Sequence, residues 1–317
     1  MLDPSAALRA GLLGLSRNDK VRRVVQNAPV SRDVVRRYVA GEGTSDAVEA
    51  TTGLHGQGLL GTLDFLGEDC TDLEGARHTR DAYLDVLRAL SDAGLTERGG
   101  VEVSVKLSAI GQALPHDGHK IAVDHAREIC AAAAAAGTTV TIDMEDHTTT
   151  DDTLEGVREL RADFPWVGAV LQAYLRRTEA DCRDLATAGS RIRLCKGAYD
   201  EPGSVAYLDK AHVDLSYVRC LKVLMHGDGY PMVASHDPRL IQIAGSLADR
   251  CLRASDSFEY QMLYGIRPDE QQRLSDAGHQ MRIYVPYGDQ WYGYLVRRMA
   301  ERPANAMFFA RSLISRG

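Results

Sequence analysis

Along the chain, from Gly58 onward, short apolar and β-branched runs alternate with stretches of helical periodicity. That alternation is the pattern of β/α units around a parallel sheet. Eight runs read as strands: Leu59 to Phe65, Val101 to Leu107, Thr139 to Met144, Gly168 to Tyr174, Arg191 to Lys196, Pro231 to Ser235, Phe258 to Leu263 and Met281 to Val285. Helices are predicted near 76–94, 119–136, 151–163, 179–188, 212–226, 238–252 and 268–277, with a last one from 289 after a break at Pro286 and Gly288. Gly94, Gly137, Gly189, Gly227 and Gly278 stand where left-handed helix caps are wanted. Eight pairs from Leu59 to the C-terminus fit the roughly 250 residues of a (β/α)8 barrel, with a doubly wound open sheet as the alternative. Residues 1–55 show no strand signal and read as short amphipathic helices, so the expected organisation is a helical arm (1–55) before one barrel domain (56–317).

Composition narrows the class of partner. The chain has 317 residues, 44% of them hydrophobic, which is ample for a large core. Thirty-seven basic against 44 acidic residues give a net charge of −7, without a basic block, so a nucleic-acid surface is not expected. Six scattered cysteines with no Cys-x-x-Cys pair suit reduced, mostly buried thiols in a cytoplasm. The N-terminal stretch reads as neither a signal peptide nor a spanning helix. Peripheral membrane contact and self-association stay open.

The predicted strand ends carry unusual polarity: Lys106; Asp143, Glu145 and His147; Gln172 and Tyr174; Arg193, Lys196 and Tyr199; Ser235, His236 and Asp237; Glu259 and Gln261; and Tyr284. The C-terminal end of a barrel is where such folds build their sites, and unpaired charge there costs several kcal/mol. Three chemistries can use this set. Lys106 can form a Schiff base if neighbouring positive charge lowers its pKa. The carboxylates with His147 and His236 can hold a metal, although paired-histidine zinc spacing is absent. A flavin can use Gln172, Arg193 and Lys196, with Gly197 and Ala198 allowing close backbone approach. Gly56, Gly58 and Gly61 match G-x-G-x-x-G literally but precede a strand instead of following one, so they read as a turn. Further on, Tyr294, Arg297, Arg298 and Glu301 fall at helical spacing on roughly one face. Paired guanidinium forks beside phenols suit a small carboxylate, whereas the plain alternative is a solvated basic face.

Seven stretches in order then resemble the proline dehydrogenase family: VSVKLSAIG from Val103, VTIDMED from Val140, LQAYLRR from Leu171, RIRLCKGAYDE from Arg191, VASHD from Val233, EYQMLYG from Glu259 and YLVRRMAERPAN from Tyr294. The resemblance implies a distorted barrel with noncovalent FAD that oxidises L-proline to Δ1-pyrroline-5-carboxylate, with a membrane quinone as electron acceptor. It also implies the bacterial single-function form. By position, Lys106, Arg297 and Arg298 match residues gripping the substrate carboxylate. Tyr199, Leu263, Tyr284, Tyr294 and Ala198 match those enclosing its ring. Asp143 and Arg193 match the active centre, while Met144, Gln172, Arg193, Lys196, Gly197, Ala198, Ser235 and His236 match flavin contacts. Asp200, Ser235 and Cys195 depart from the family pattern, where an aromatic, a threonine and a small aliphatic are common. No metal is expected. The break at Pro286 and Gly288 also makes the last helix a candidate lid.

Overall fold

The computed structural model describes residues 35–67 and 69–295. Expectations for residues 1–34 and for Arg297, Arg298 and Glu301 lie outside these described residues. Eight parallel strands close into one barrel in sequence order. They are β1 (Leu60–Phe65), β2 (Val101–Val105), β3 (Val140–Ile142), β4 (Gly168–Gln172), β5 (Arg191–Cys195), β6 (Tyr230–Ala234), β7 (Glu259–Leu263) and β8 (Met281–Tyr287). Helix α1 (Thr44–His55) precedes them, and α2 (Leu73–Asp92), α3 (Gly118–Ala135), α4 (Thr150–Asp163), α5 (Thr178–Leu185), α6 (Lys210–His226), α7 (Pro238–Arg250) and α8 (Pro268–Asp276) alternate with the strands. The architecture is a (β/α)8 barrel, as the hydrophobic pattern predicts.

Local chemistry sets the helix starts near the mouth. Asp209 accepts from the amides of Ala211 and His212 to cap α6, and Asp237 accepts from Arg239 N to cap α7, with Pro238 at the first helical position. Two expectations fail. Gly227 ends α6 in an extended conformation (φ −77°, ψ 177°), so it is no left-handed cap. Glycine is needed there because a Cβ would lie 2.6 Å from the Ala186 carbonyl oxygen. Strand β8 also runs through Pro286, which pairs with Asp64, to Tyr287. Proline is tolerated because its carbonyl remains usable, and it accepts from Ala40 N at 2.9 Å. The chain turns only at Gly288, where φ is +119°.

The strands alternate in a way most parallel barrels do not. Val101, Val103 and Val105, Val140 and Ile142, Ile192 and Leu194, and Ile283 and Val285 are buried in the main hydrophobic core. The residues between them meet inside the barrel: Arg193 of β5 bonds Ser104 of β2 and Gln261 of β7, and Arg282 of β8 bonds Glu259 of the neighbouring β7. A barrel interior is ordinarily filled by branched aliphatics. Here ionised and amide side chains fill much of it, and that polarity gives the strands their period of two. A second hydrophobic cluster joins Val35 and Val39 to Leu66, Trp291, Tyr292, Tyr294 and Leu295. It ties the segment ahead of α1 to the residues that follow β8.

Candidate active site

The upper half of the barrel holds two cation–carboxylate pairs. Lys106, one residue past β2, donates from Nζ to both Asp64 oxygens at 2.7 Å. Asp143, one residue past β3, accepts from Arg193 Nη1 at 2.7 Å and Ser104 Oγ at 2.8 Å on one oxygen, and from the Tyr284 hydroxyl at 2.7 Å on the other. Arg193 also donates from Nε to Gln261 Oε1 at 2.6 Å, and its guanidinium carbon lies 5.3 Å from the Tyr284 ring centroid. Its Nη2 is buried without a hydrogen bond, 3.7 Å from Glu102 Oε1. Burial, and then the Asp143 charge, push the Tyr284 hydroxyl well above its usual pKa, so it stays protonated as a donor to Asp143. Burial also raises the Asp64 carboxyl, against the lowering pull of the Lys106 ammonium.

Around this centre the loops after the strands supply further polar groups. Gln172 donates from Nε2 to the Glu145 carbonyl at 2.6 Å, and Glu145 accepts from the Ser108 hydroxyl at 2.6 Å. Lys196 bridges Asp214 of α6 (2.5 Å) and Asp237 (3.2 Å). Asp237 is held far below the usual carboxylate range, first by the Arg239 side chain and further by Lys196. Gly197 has φ +111°, and a Cβ there would lie 2.3 Å from the Tyr174 ring, so no other residue fits this turn. Ser235 Oγ accepts from Asp237 N at 3.2 Å. His236 Nε2 accepts from Leu263 N at 3.0 Å, which fixes its ring and leaves the neutral form's proton on Nδ1. His147 and the Tyr174 hydroxyl both bond the buried Glu201 carboxylate, pinning the loop that carries Ala198 and Tyr199.

The geometry thus joins Asp143, Arg193 and Tyr284 directly and sets Lys106 on the neighbouring strand. Met144 is buried, Leu263, Ala198 and Tyr199 are half-buried, and Tyr294 lies in the second cluster. Sequence reasoning missed Asp64 and Ser104, which sit opposite each other in register on β1 and β2. The signal was present in the period-two series Glu102, Ser104, Lys106, and in Asp64 near the end of an otherwise apolar run. Two of the three chemistries lose ground. Lys106 is bound to a buried carboxylate, the opposite of the cationic surroundings a Schiff-base lysine needs. Among the described residues no group of three or more His, Cys, Asp or Glu side chains is placed to hold a metal.

A charged barrel mouth with a guanidinium, a carboxylate and a phenol locked together defines an enzyme-like (β/α)8 site for a small polar molecule. The family model for proline dehydrogenase matches residues 47–311, and the chain belongs to that family. It is 36% identical over 309 residues to proline dehydrogenase 1 of Bacillus subtilis, covering 98% of this chain and all of that one. It is 39% identical over 284 residues to proline dehydrogenase of Deinococcus radiodurans, covering 89% and 90% of the two. Among solved structures, proline utilization A of Bdellovibrio bacteriovorus inactivated by N-propargylglycine superposes with a TM-score of 0.79 at 26% identity, over 89% of this chain. The corresponding Bradyrhizobium japonicum protein gives 0.73 at 25% identity. This chain spans about a third of those two proteins, at 34% and 32% of their lengths.

Proposed function

We propose that the chain is a flavin-dependent proline dehydrogenase that oxidises L-proline to Δ1-pyrroline-5-carboxylate, holds FAD noncovalently and has a quinone as final electron acceptor. The observation that carries this reading is the Arg193–Asp143–Tyr284 cluster at the barrel mouth, in a chain of the proline dehydrogenase family. Three features support a flavin beside it. Arg193 keeps its guanidinium at the barrel mouth, and its Nη2, 3.7 Å from Glu102 Oε1, makes no hydrogen bond, so one N–H of that cation is not committed to a protein acceptor. Gln172 uses its amide N–H on Glu145 and has its Oε1 left to accept from a ring N–H. At Gly197 the positive φ and the Tyr174 ring against the backbone hold the loop that carries Lys196 and Ala198 in one conformation. In this reading Met144, Gln172, Arg193, Lys196, Gly197, Ala198, Ser235 and His236 hold the cofactor.

Oxidation of proline breaks one C–H and one N–H bond of the ring and forms C=N. When bound, the flavin supplies the hydride acceptor at N5. The protein's part is alignment. Lys106, with Arg297 and Arg298, grips the carboxylate, while Tyr199, Leu263, Tyr284, Tyr294 and Ala198 wall the ring. Asp143 holds both Arg193 and the Tyr284 hydroxyl, so that a guanidinium and a phenol face the reacting edge in fixed positions. We also read residues 1–55 as a helical arm and 56–317 as the catalytic barrel, acting in the cytoplasm or at the inner face of a membrane. No helix among the described residues is long and apolar enough to cross one.

Colour tests the reading. The purified protein is expected to be yellow, or to become so with FAD, and to bleach when L-proline is added without air. A preparation that takes up no FAD, or that stays yellow with proline, overturns it.

A further inference from the structure

The family resemblance implies a role for Lys106 in substrate binding but says nothing of what holds it. A lysine head on a four-carbon stem is a mobile point charge, so a useful grip on a small carboxylate needs something to fix it. Asp64 is 1% exposed, and both its oxygens accept from Lys106 Nζ at 2.7 Å. The aspartate is itself fixed: β1 pairs it with Ser104 on one side and Pro286 on the other. Tyr83 from α2 closes in behind it, with its hydroxyl 3.5 Å from Asp64 Oδ1 while donating to the Ser104 carbonyl at 2.7 Å. A fully buried carboxylate bonded this way acts on a ligand through the groups beside it, the Lys106 ammonium first and the Tyr284 hydroxyl as the weaker neighbour.

We propose that Asp64 is a positioning residue for substrate binding, fixing the Lys106 ammonium at the barrel mouth where it meets the carboxylate of proline. The proposal rests on the reading of Lys106 as part of the carboxylate grip. It gives the site a parallel construction. Asp64 of β1 anchors Lys106 beside the adjacent β2, and Asp143 after β3 anchors Arg193 of β5 across one intervening strand, so these two cations are each backed by a buried carboxylate. Leaving either cation without its partner removes a buried counter-charge, which is costly and lets the head swing away from the mouth.

The test uses the FAD-loaded protein with three variants: Asp64→Asn, Lys106→Met and both together. Steady-state kinetics with proline are paired with the dissociation constant of a cyclic carboxylate that lacks the ring nitrogen, read by perturbation of flavin absorbance. Asp64→Asn is expected to raise KM and that dissociation constant by about tenfold or more, with kcat changed by less than about threefold. In the Lys106→Met background the same substitution is expected to shift both by less than about twofold, because its main effect passes through Lys106. Equal effects in the two backgrounds overturn the proposal, as does an unchanged KM in Asp64→Asn when Lys106→Met raises it. If instead Lys106→Met itself changes neither constant, the carboxylate-grip reading is what fails. If Asp64→Asn alone does not fold, recovery of a folded, FAD-binding protein in the double variant supports the pairing. A double variant that still does not fold overturns a role confined to Lys106.

Discussion

The barrel interior carries two charged layers that look alike in composition and differ in construction. In the lower layer Glu102 accepts from Arg191 Nη2 at 2.7 Å and from the Thr139 hydroxyl at 2.6 Å, and Glu259 accepts from Arg282 Nε at 2.9 Å. Arg282 also donates to the carbonyls of Gly61 and Gly99, and Tyr230 joins Glu259 to Gln280. Every charge there is spent on another part of the protein. The upper layer pairs Lys106 with Asp64 and Arg193 with Asp143, yet Arg193 Nη2, 3.7 Å from Glu102 Oε1, makes no hydrogen bond, and Gln172 keeps an acceptor. Buried charge alone therefore does not mark a site. A network that closes on itself is architecture, whereas one with directed groups left over is prepared for a ligand.

The largest effect should come from opening the closed layer. Arg282→Met leaves Glu102 and Glu259 short of a cation and is expected to cost about 3–5 kcal/mol of unfolding free energy, measured in denaturant. KM for proline per folded molecule should move by less than about twofold. A stable variant with a sharply raised KM would reverse the comparison. Next, Arg298→Met, which lies outside the described residues, is expected to raise KM for proline by about a hundredfold or more while FAD stays bound. Unchanged proline kinetics would remove that arginine from the grip.

Acid sharpens the contrast further. Glu102 is fully buried, and although burial pulls the other way, the guanidinium groups of Arg191, Arg282 and Arg193 hold its carboxyl far below the ordinary glutamate range. A lowered folded-state pKa means the unfolded chain takes the proton first, so this contribution is present above the ordinary glutamate value and lost as pH falls below it. Stability should drop by up to about 1.4 kcal/mol per pH unit from this group alone, and Glu102→Gln should flatten the slope. The smallest effect belongs to Tyr284→Phe, which removes the hydrogen bond to Asp143 but keeps the ring beside Arg193. A KM or kcat change of severalfold, about 1 kcal/mol, is expected. A silent variant would take the hydroxyl out of the site.

Much of this was legible in the sequence because both periodicity and polarity were strong. All eight strands fall within one or two residues of their expected ends, and Asp143 and Arg193 stand among the polar strand ends, although only the family resemblance singles them out and only the structure pairs them. What escaped was whatever depends on register. Asp64 looked like an ordinary polar interruption in an apolar run until β1 was set beside β2 and β8, where it meets Ser104 and Pro286. The lower layer escaped for a related reason: Arg191, Glu102 and Arg282 come from three strands, and no local pattern announces that they share one level. Pro286 misled because proline breaks most strands, yet here the next residue, Tyr287, still pairs with Phe65. Gly227 misled because a glycine after a helix serves equally as a left-handed cap or as room for a neighbour.

The most direct measurement is a crystal structure of the FAD-loaded protein with a cyclic carboxylate resembling proline. Its carboxylate is expected within hydrogen-bond distance of Lys106 Nζ and its ring against Tyr284, with the lower layer of Glu102, Arg191, Glu259 and Arg282 undisturbed. A ligand bound away from Lys106, or seated among the lower-layer charges, would contradict this placement.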